Sequence, residues 1–352
     1  MKIINSFTCF VLLTALVGGL PVGYAAEDTS WSIDSRILPA PVAASDELRN
    51  AISNMSTPDL VQASNEVSRE GLIAMIGARN SGQPIDLDAL GRATGVSIAA
   101  DTINGVTVYR VMPERLAPEH ANHMFLHVHG GGYVFGGGDA SVGEAVQIAA
   151  AAGIPAISVD YRMPPESPFP AALDDTIVVY RAMLESRQAG EIAIGGTSAG
   201  AGLALAAVHQ MKELGLPVPG ALFAGTPWAD LTKTGDTLYS NEGIDRVLVS
   251  YDGWLKSAAY MYADGRDLTD PLISPMYGNF DSFPPTILVS GTRDMLLSDT
   301  ARVQRKLRDA GVIADLHVFE GLSHAGYLML PQAQESISTF GELSLFLKEY
   351  LD

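Results

Sequence analysis

Along most of the chain, short unbroken apolar runs alternate with longer amphipathic segments. The runs are Met124–Val128, Ala156–Val159, Ile192–Ile194, Ala221–Ala224, Thr286–Val289 and Leu316–Phe319. Apolar runs of this length, bounded by turn residues, predict strands buried on both faces. Between and after them lie helical patterns near Val142–Ala152, Ala171–Glu185, Ala199–Leu214, Ser298–Ala310 and Glu335–Tyr350. Upstream, Val96–Ala99 and Val106–Met112 read as a hairpin around Asn104-Gly105. This predicts an α/β fold: a mostly parallel eight-stranded sheet with helices on both faces.

Two segments stand outside the alternation. From Asp46 to about Asn80 the pattern is helical, with Leu48, Ile52, Leu60, Val61 and Ile73 as apolar positions. Thr57-Pro58-Asp59 looks like a helix start with Thr57 as the N-cap. The second segment, about 230–281, holds Tyr239, Tyr251, Trp254, Tyr260 and Tyr262. Helices inserted between two sheet strands must sit over an edge or an end of the sheet, so both segments read as a cap. The expected organisation is an N-terminal helical cap segment over 26–94 and a catalytic domain over 95–352 with the cap insertion inside it.

The first 25 residues read as a secretory signal. Lys2 precedes an apolar run from about Phe7 to Leu20, too short for a comfortable membrane span, and Pro21, Gly23 and Ala25 follow it. Cleavage after Ala25 puts small residues at both recognition positions, whereas cleavage after Ala26 would put Tyr24 at one of them. The competing reading is a cytoplasmic protein with a buried apolar N-terminal segment.

Composition narrows the partners. The chain has 352 residues, 47% of them apolar, enough for a large core. Its formal charge of −18 disfavours nucleic acid, anionic membranes and strongly anionic substrates. Cys9, the only cysteine, lies inside the expected signal, so the mature chain would carry no disulfide and no cysteine for a lipid anchor. The expectation is a periplasmic or secreted protein with no stable membrane insertion after cleavage. A homodimer stays open.

The candidate chemistry centres on Gly196-Thr197-Ser198-Ala199-Gly200, which follows one predicted strand and opens a predicted helix. Gly-x-Ser-x-Gly in that setting is the pattern of a nucleophile elbow, a turn so tight that side chains two positions either side of the serine must nearly vanish. The plain alternative is a glycine-rich turn with a helix-capping serine. A second motif, His129-Gly130-Gly131-Gly132-Tyr133, follows the third predicted strand. Consecutive glycines let backbone N–H groups approach a substrate closely, as an oxyanion hole requires, with Gly131, Gly132 and Ala199 as the donors. A phosphate-cradling loop is the rival, but no Lys-Ser/Thr follows and no Gly-x-Gly-x-x-Gly frame is present. His129 itself reads as a strut for the loop.

An acid and a histidine should follow Ser198 in that order. His209 falls within a helix and His317 within a strand, whereas His324 sits in a turn past the last strand. Asp294 lies directly past the strand Thr286–Val289, with Asp299 and Glu320 in reserve and Asp299 better explained as a helix cap. His324 would take the serine proton, Asp294 would fix the imidazole, and an acyl-enzyme would form on Ser198.

Taken jointly, these residues resemble the bacterial hormone-sensitive-lipase-like (family IV) carboxylesterases, over roughly Val96 to the C-terminus. The resemblance rests on His129-Gly-Gly-Gly, Asp160-Tyr161-Arg162 with Pro165-Glu166 and Phe169-Pro170-Ala171-Ala172, the Ser198 elbow, and the Asp294 and His324 turns. It implies an α/β-hydrolase fold with a helical cap, a Ser–Asp–His triad, a three-donor oxyanion hole, no metal or other cofactor, and short- to medium-chain esters as substrates. The chain departs from the family at Met163-Pro164-Pro165-Glu166-Ser167. It departs again at the acid turn, which reads Asp-Met-Leu-Leu-Ser-Asp where Asp-Pro-Leu is common, and at Ala325-Gly326-Tyr327.

Tyr133, Trp228, Met295, Leu296 and Tyr327 are the expected pocket residues, and the Tyr239–Tyr262 aromatics serve either the pocket or the cap's own core. Asp160-Tyr161-Arg162 reads as an ion-paired turn under the catalytic loops. His123, His127 and His129 invite a metal reading, but no cysteine or carboxylate cluster completes a site. The leading expectation is a serine carboxylesterase acting on a small-molecule ester. A lactonase or single-ester hydrolase on the same site, a true lipase, and a catalytically inactive ligand-binding protein are the alternatives.

Overall fold

A computed structural model describes residues 37–352. The expected signal, its cleavage point near Ala25 and Cys9 lie outside the described residues. Residues 37–39 carry no regular secondary structure, and a compact unit runs from Ala40 to Asp352.

Four helices come first: α1 (Asp46–Asn54), α2 (Leu60–Ala63), α3 (Arg69–Asn80) and α4 (Leu87–Thr94). The helical pattern of 46–80 is thus broken twice. The side chains of Ser45, Asp59, Ser68 and Asp86 each accept an N–H at the start of one helix. Asp59, not Thr57, is the N-cap of α2, accepting from Gln62 N at 3.0 Å.

The hairpin follows, with β1 (Val96–Ile103) longer than expected and β2 (Val106–Pro113). Then come β3 (Met124–Val128), α5 (Gly143–Ala152), β4 (Ala156–Val159), α6 (Ala171–Leu184), β5 (Ile192–Thr197), α7 (Ala199–Glu213) and β6 (Ala221–Gly225). The insertion carries α8 (Thr237–Ser240), a π turn at Tyr251–Leu255 and α9 (Lys256–Ala263). The chain closes with β7 (Thr286–Gly291), α10 (Leu297–Asp309), β8 (Ala314–Phe319), α11 (Gly326–Met329) and α12 (Gln334–Tyr350).

The eight strands form one sheet in the order β1-β2-β4-β3-β5-β6-β7-β8. Only the β1–β2 and β2–β4 pairs are antiparallel. Each face has its own apolar cluster. One takes Leu173 of α6, Leu203 of α7 and Val303 of α10. The other takes Ile148 of α5 with Leu343 and Phe346 of α12. The chain leaves β3 toward β4 on one side and returns to β5 on the other, so the direction of winding reverses between β3 and β5. Such switch points at the carboxyl ends of parallel strands are where α/β sheets place ligands.

The insertion and the N-terminal helices lie against each other. Ser257 Oγ donates to Val67 O at 2.6 Å, and Arg246 Nη1 donates to Ser56 O at 2.6 Å. Gly253 is tight against α2, where a Cβ would come within 2.0 Å of Ala63 O.

The turn between β5 and α7 explains its two glycines directly. A Cβ at Gly196 would stand 1.9 Å from the carbonyl oxygen of Val128, and one at Gly200 only 2.1 Å from the same atom. That oxygen belongs to the last residue of the neighbouring strand β3, so it cannot retreat without breaking the sheet. Gly196→Ala or Gly200→Ala should therefore displace the turn at a cost of about 1–3 kcal/mol or more. Thermal unfolding should report a lowered Tm, and an unchanged Tm for both variants would rule out the steric account.

Candidate functional site

Ser198 sits between β5 and α7 with φ 63° and ψ −124°, a conformation a non-glycine residue rarely adopts. Three backbone hydrogen bonds hold it there. Its N–H donates to Gly225 O at 2.8 Å, and its carbonyl accepts from Gly202 N and Trp228 N, both at 3.0 Å. The hydroxyl then projects from the turn to His324, whose Nε2 lies 2.8 Å from Ser198 Oγ.

His324 belongs to the turn after β8. Its Nδ1 lies 3.1 Å from Asp294 Oδ1, so an Nδ1–H donates to the carboxylate and leaves Nε2 facing the serine. Asp294, in the turn after β7, is fully buried and fixed by two more donors: Leu296 N to Oδ1 and Ser290 Oγ to Oδ2, each at 2.8 Å. Burial alone would lower the proton affinity of His324. The charge and hydrogen bond of Asp294, joined by the charge of Asp245, outweigh that and raise it above the ordinary imidazole value of 6.5.

The glycine loop after β3 packs against this turn. A Cβ at Gly130 would lie 2.8 Å from Thr197 O and 3.4 Å from Ser198 Cβ, so only glycine lets the loop come so near. Gly131 and Gly132 have φ of 110° and 61°. Among the described residues, none accepts a hydrogen bond from the N–H of either glycine. Ala199 is the first residue of α7, so its N–H has no carbonyl one helical turn back. These donors and the dipole of a helix start form an arrangement suited to a developing negative charge.

His129 supports the loop. Its Nδ1 donates to Gly130 O at 2.8 Å, and its ring stacks on Tyr161 at 4.0 Å. Burial drives its proton affinity down to about 3, so it is neutral. Tyr161 donates its hydroxyl to His129 O at 2.8 Å, Asp160 accepts from Gly138 N, and Arg162 pairs with Asp175 at 2.7 Å. The Asp160-Tyr161-Arg162 stretch thus braces the glycine loop.

The other histidines lie elsewhere. His209 is bound to Pro275 O and packed on Phe280 and Phe283. His123 contacts His120 and the backbone oxygen of Asp352, and His127 lies between Ser158 and Glu144. Asp299 does not cap its own helix. Its Oδ2 accepts from Ala229 N and Asp230 N, and burial, followed by the charge of Asp230, pushes its affinity up to about 8.

The expected pocket residues divide. Trp228, Met295 and Leu296 are buried in the cluster that holds α7. Tyr133 turns inward: it stacks on Tyr262 at 3.9 Å, and its hydroxyl fills the space a Cβ at Gly202 would need. Tyr327 is also inward, beneath the elbow, with its hydroxyl 2.5 Å from Thr197 Oγ1 and its ring on Phe340. Both placements correct the expectation of pocket walls, because each phenol finds a buried partner or gap below the loops. The nearest side chain over the glycine loop is one the sequence left ambiguous. The indole of Trp254 would stand 2.8 Å from a Cβ at Gly132, with Trp228 next at 3.8 Å.

A family model described as the alpha/beta hydrolase fold matches residues 125–328. An acetyl-hydrolase of Streptomyces hygroscopicus is 31% identical over 241 residues, covering 67% of this chain and 80% of that protein. The crystal structure of esterase E25 is 46% identical with a TM-score of 0.88, covering 92% of this chain and 99% of that one. A crystal structure of an esterase from the bacterial hormone-sensitive lipase family is 28% identical with a TM-score of 0.69, covering 85% and 100%. Family model, relatives and sheet order agree: this chain belongs to the α/β-hydrolase family, as a carboxylic-ester hydrolase of its hormone-sensitive-lipase-like branch.

Proposed function

We propose that the chain is a serine carboxylesterase that hydrolyses short- to medium-chain esters through an acyl-enzyme on Ser198. The observation that carries this reading is the buried line from Ser198 Oγ to His324 Nε2 at 2.8 Å and from His324 Nδ1 to Asp294 Oδ1 at 3.1 Å. Ser198 Oγ attacks the ester carbonyl while His324 Nε2 takes its proton, and Asp294 steadies the imidazolium. The N–H groups of Gly131, Gly132 and Ala199 receive the oxyanion. The C–O bond to the alcohol breaks, and His324 returns its proton to that oxygen. Water then gives a proton to His324 and attacks the acyl carbon; the acid leaves and Ser198 regains its hydrogen.

The acetyl-hydrolase relative supports a small acyl group, as do the two indoles gathered at Gly132. No described helix is long and apolar enough to cross a membrane. We read residues 1–25 as an export signal and place the mature enzyme in the periplasm or outside the cell. The first residue of the exported protein, read by N-terminal sequencing, should be Ala26.

Ser198→Ala should cut turnover of p-nitrophenyl butyrate by about 10³-fold or more with an unchanged Tm, and should abolish labelling by a fluorophosphonate. Turnover near the wild-type level would overturn the mechanism. A chain-length series beside a lactone panel separates the esterase from a lactonase.

The raised affinity of His324 sets the pH dependence. The imidazole must be neutral to accept the serine proton, so activity is lost as pH falls through its affinity in the free enzyme. The acid limb of kcat/KM should therefore lie above pH 6.5. Asp294→Asn should move it to lower pH, because the charge that favours the imidazolium is gone. A limb that stays in place in that variant would contradict the pairing.

A further inference from the structure

The insertion between β6 and β7 carries a third carboxylate to the triad. Asp245 is fully buried, and every hydrogen bond of its carboxylate comes from a backbone N–H group. Oδ1 accepts from Val247 N at 2.8 Å and Leu248 N at 3.2 Å, within its own turn. That local pairing fixes the carboxylate and aims Oδ2 outward. Oδ2 accepts from Met295 N, the residue after Asp294, at 2.9 Å. The same oxygen lies 3.4 Å from the N–H of His324 itself.

Two loops that arise after different strands, and that carry the acid and the base, thus meet on one oxygen atom. We propose that Asp245 is a positioning residue of this esterase, whose Oδ2 locks the Asp294 turn to the His324 turn and keeps that pair aligned on Ser198. The role rests on the serine-hydrolase reading of the site.

Neighbouring contacts run the same way. Arg246 N donates to Ser323 Oγ at 3.2 Å, and Asn241 Nδ2 donates to Asp294 O at 2.8 Å. Thr237 Oγ1 donates to Met295 O at 2.8 Å. Asp245 is the member of this set that touches both turns. The acid turn also fits it: Met295 supplies an N–H where the resembling esterases commonly have proline, which has none to give.

The carboxylate has an electrostatic consequence as well. Burial and then the charge of Asp294 raise the proton affinity of Asp245 above the ordinary carboxylate value, while the charge of His324 and the N–H groups of Met295 and Val247 work the other way. Two carboxylates then act on one imidazole, Asp294 from the β7 turn and Asp245 from the insertion. The other charged groups nearby act elsewhere: Arg246 and Glu320 on Arg293, and Glu144 on Tyr327.

The test compares Asp245→Asn, Met295→Pro and the double variant with wild type. Active sites are counted by the end point of fluorophosphonate labelling, and kcat and KM for p-nitrophenyl butyrate are followed against pH. Asp245→Asn keeps the shape and removes the charge. Per labelled site, kcat should fall about ten- to a hundredfold with KM within about twofold, and the acid limb should move to lower pH. Met295→Pro removes one N–H and no charge, so kcat should fall while the limb stays. The double variant should be scarcely worse than Asp245→Asn alone, because both changes break one contact.

Wild-type kcat per site with an unmoved limb in Asp245→Asn overturns the proposal, as do additive losses in the double variant. Should Asp245→Asn fail to fold, Met295→Pro decides alone: wild-type kcat there is the overturning result. Ser198→Ala run alongside keeps the two claims apart. Activity surviving that change sinks the reaction itself, whereas its loss beside an unaffected Asp245→Asn sinks only the role of Asp245.

Discussion

The carbonyl oxygen of Val128 ends β3 at the spot where side chains at positions 196 and 200 would otherwise stand. β3 and β5 are hydrogen-bonded neighbours, so this oxygen is held by the sheet. The chain leaving β5 has no room to bend except through glycine at both places, and Ser198 between them is forced to a positive φ. Holding a serine there costs about 1–3 kcal/mol, offset by the bond it donates to Gly225 O and those it accepts from Gly202 N and Trp228 N. The glycine loop after β3 obeys the same constraint from the other side, since Gly130 abuts Thr197 and Ser198. Nucleophile and candidate oxyanion donors are therefore brought together by one strand pair.

Below this turn lies a buried polar chain. Glu144 of α5 accepts from Thr197 Oγ1 through one oxygen and meets His127 Nε2 at 3.1 Å through the other, and Tyr327 meets Thr197 Oγ1. An unpaired polar group at this depth would cost about 1–3 kcal/mol, so each partner constrains the next. Tyr327 lies three residues beyond His324. Its bond to Thr197 ties the histidine turn to the elbow from beneath, while Asp245 meets the histidine turn and the acid turn from the insertion.

What could be read from the sequence follows from the kind of force involved. The buried strands announce themselves as apolar runs, and all six internal runs form strands. Ser198, Asp294 and His324 were legible because each sits in a turn directly past a strand, and the structure brings the three together. Asp299 looked like a helix cap from local pattern, but its partners, Ala229 and Asp230, lie some seventy positions away. Tyr133 and Tyr327 looked like pocket walls because their neighbours in sequence are site residues. Direction along the side chain, into Gly202 or toward Thr197, is set by tertiary gaps that leave no periodic trace. Asp245 was unreadable and Trp254 ambiguous for the same reason: each acts across the fold from an irregular stretch.

That irregular stretch is more than a cover. Trp254 rides on the π turn whose Gly253 is pressed against Ala63, and Ser257 of α9 is bonded to Val67. The indole that overhangs Gly132 is thus placed by residues 63–67 as much as by the insertion. Upstream of those anchors, the same insertion sends Thr237, Asn241 and Asp245 to the acid and histidine turns. Pocket shape and triad alignment therefore share one support. A change that repacks residues 63–67 bears on Trp254 through Gly253, and on the stretch next to Asp245 through the bond from Ser64 Oγ to Ser250 Oγ at 3.1 Å.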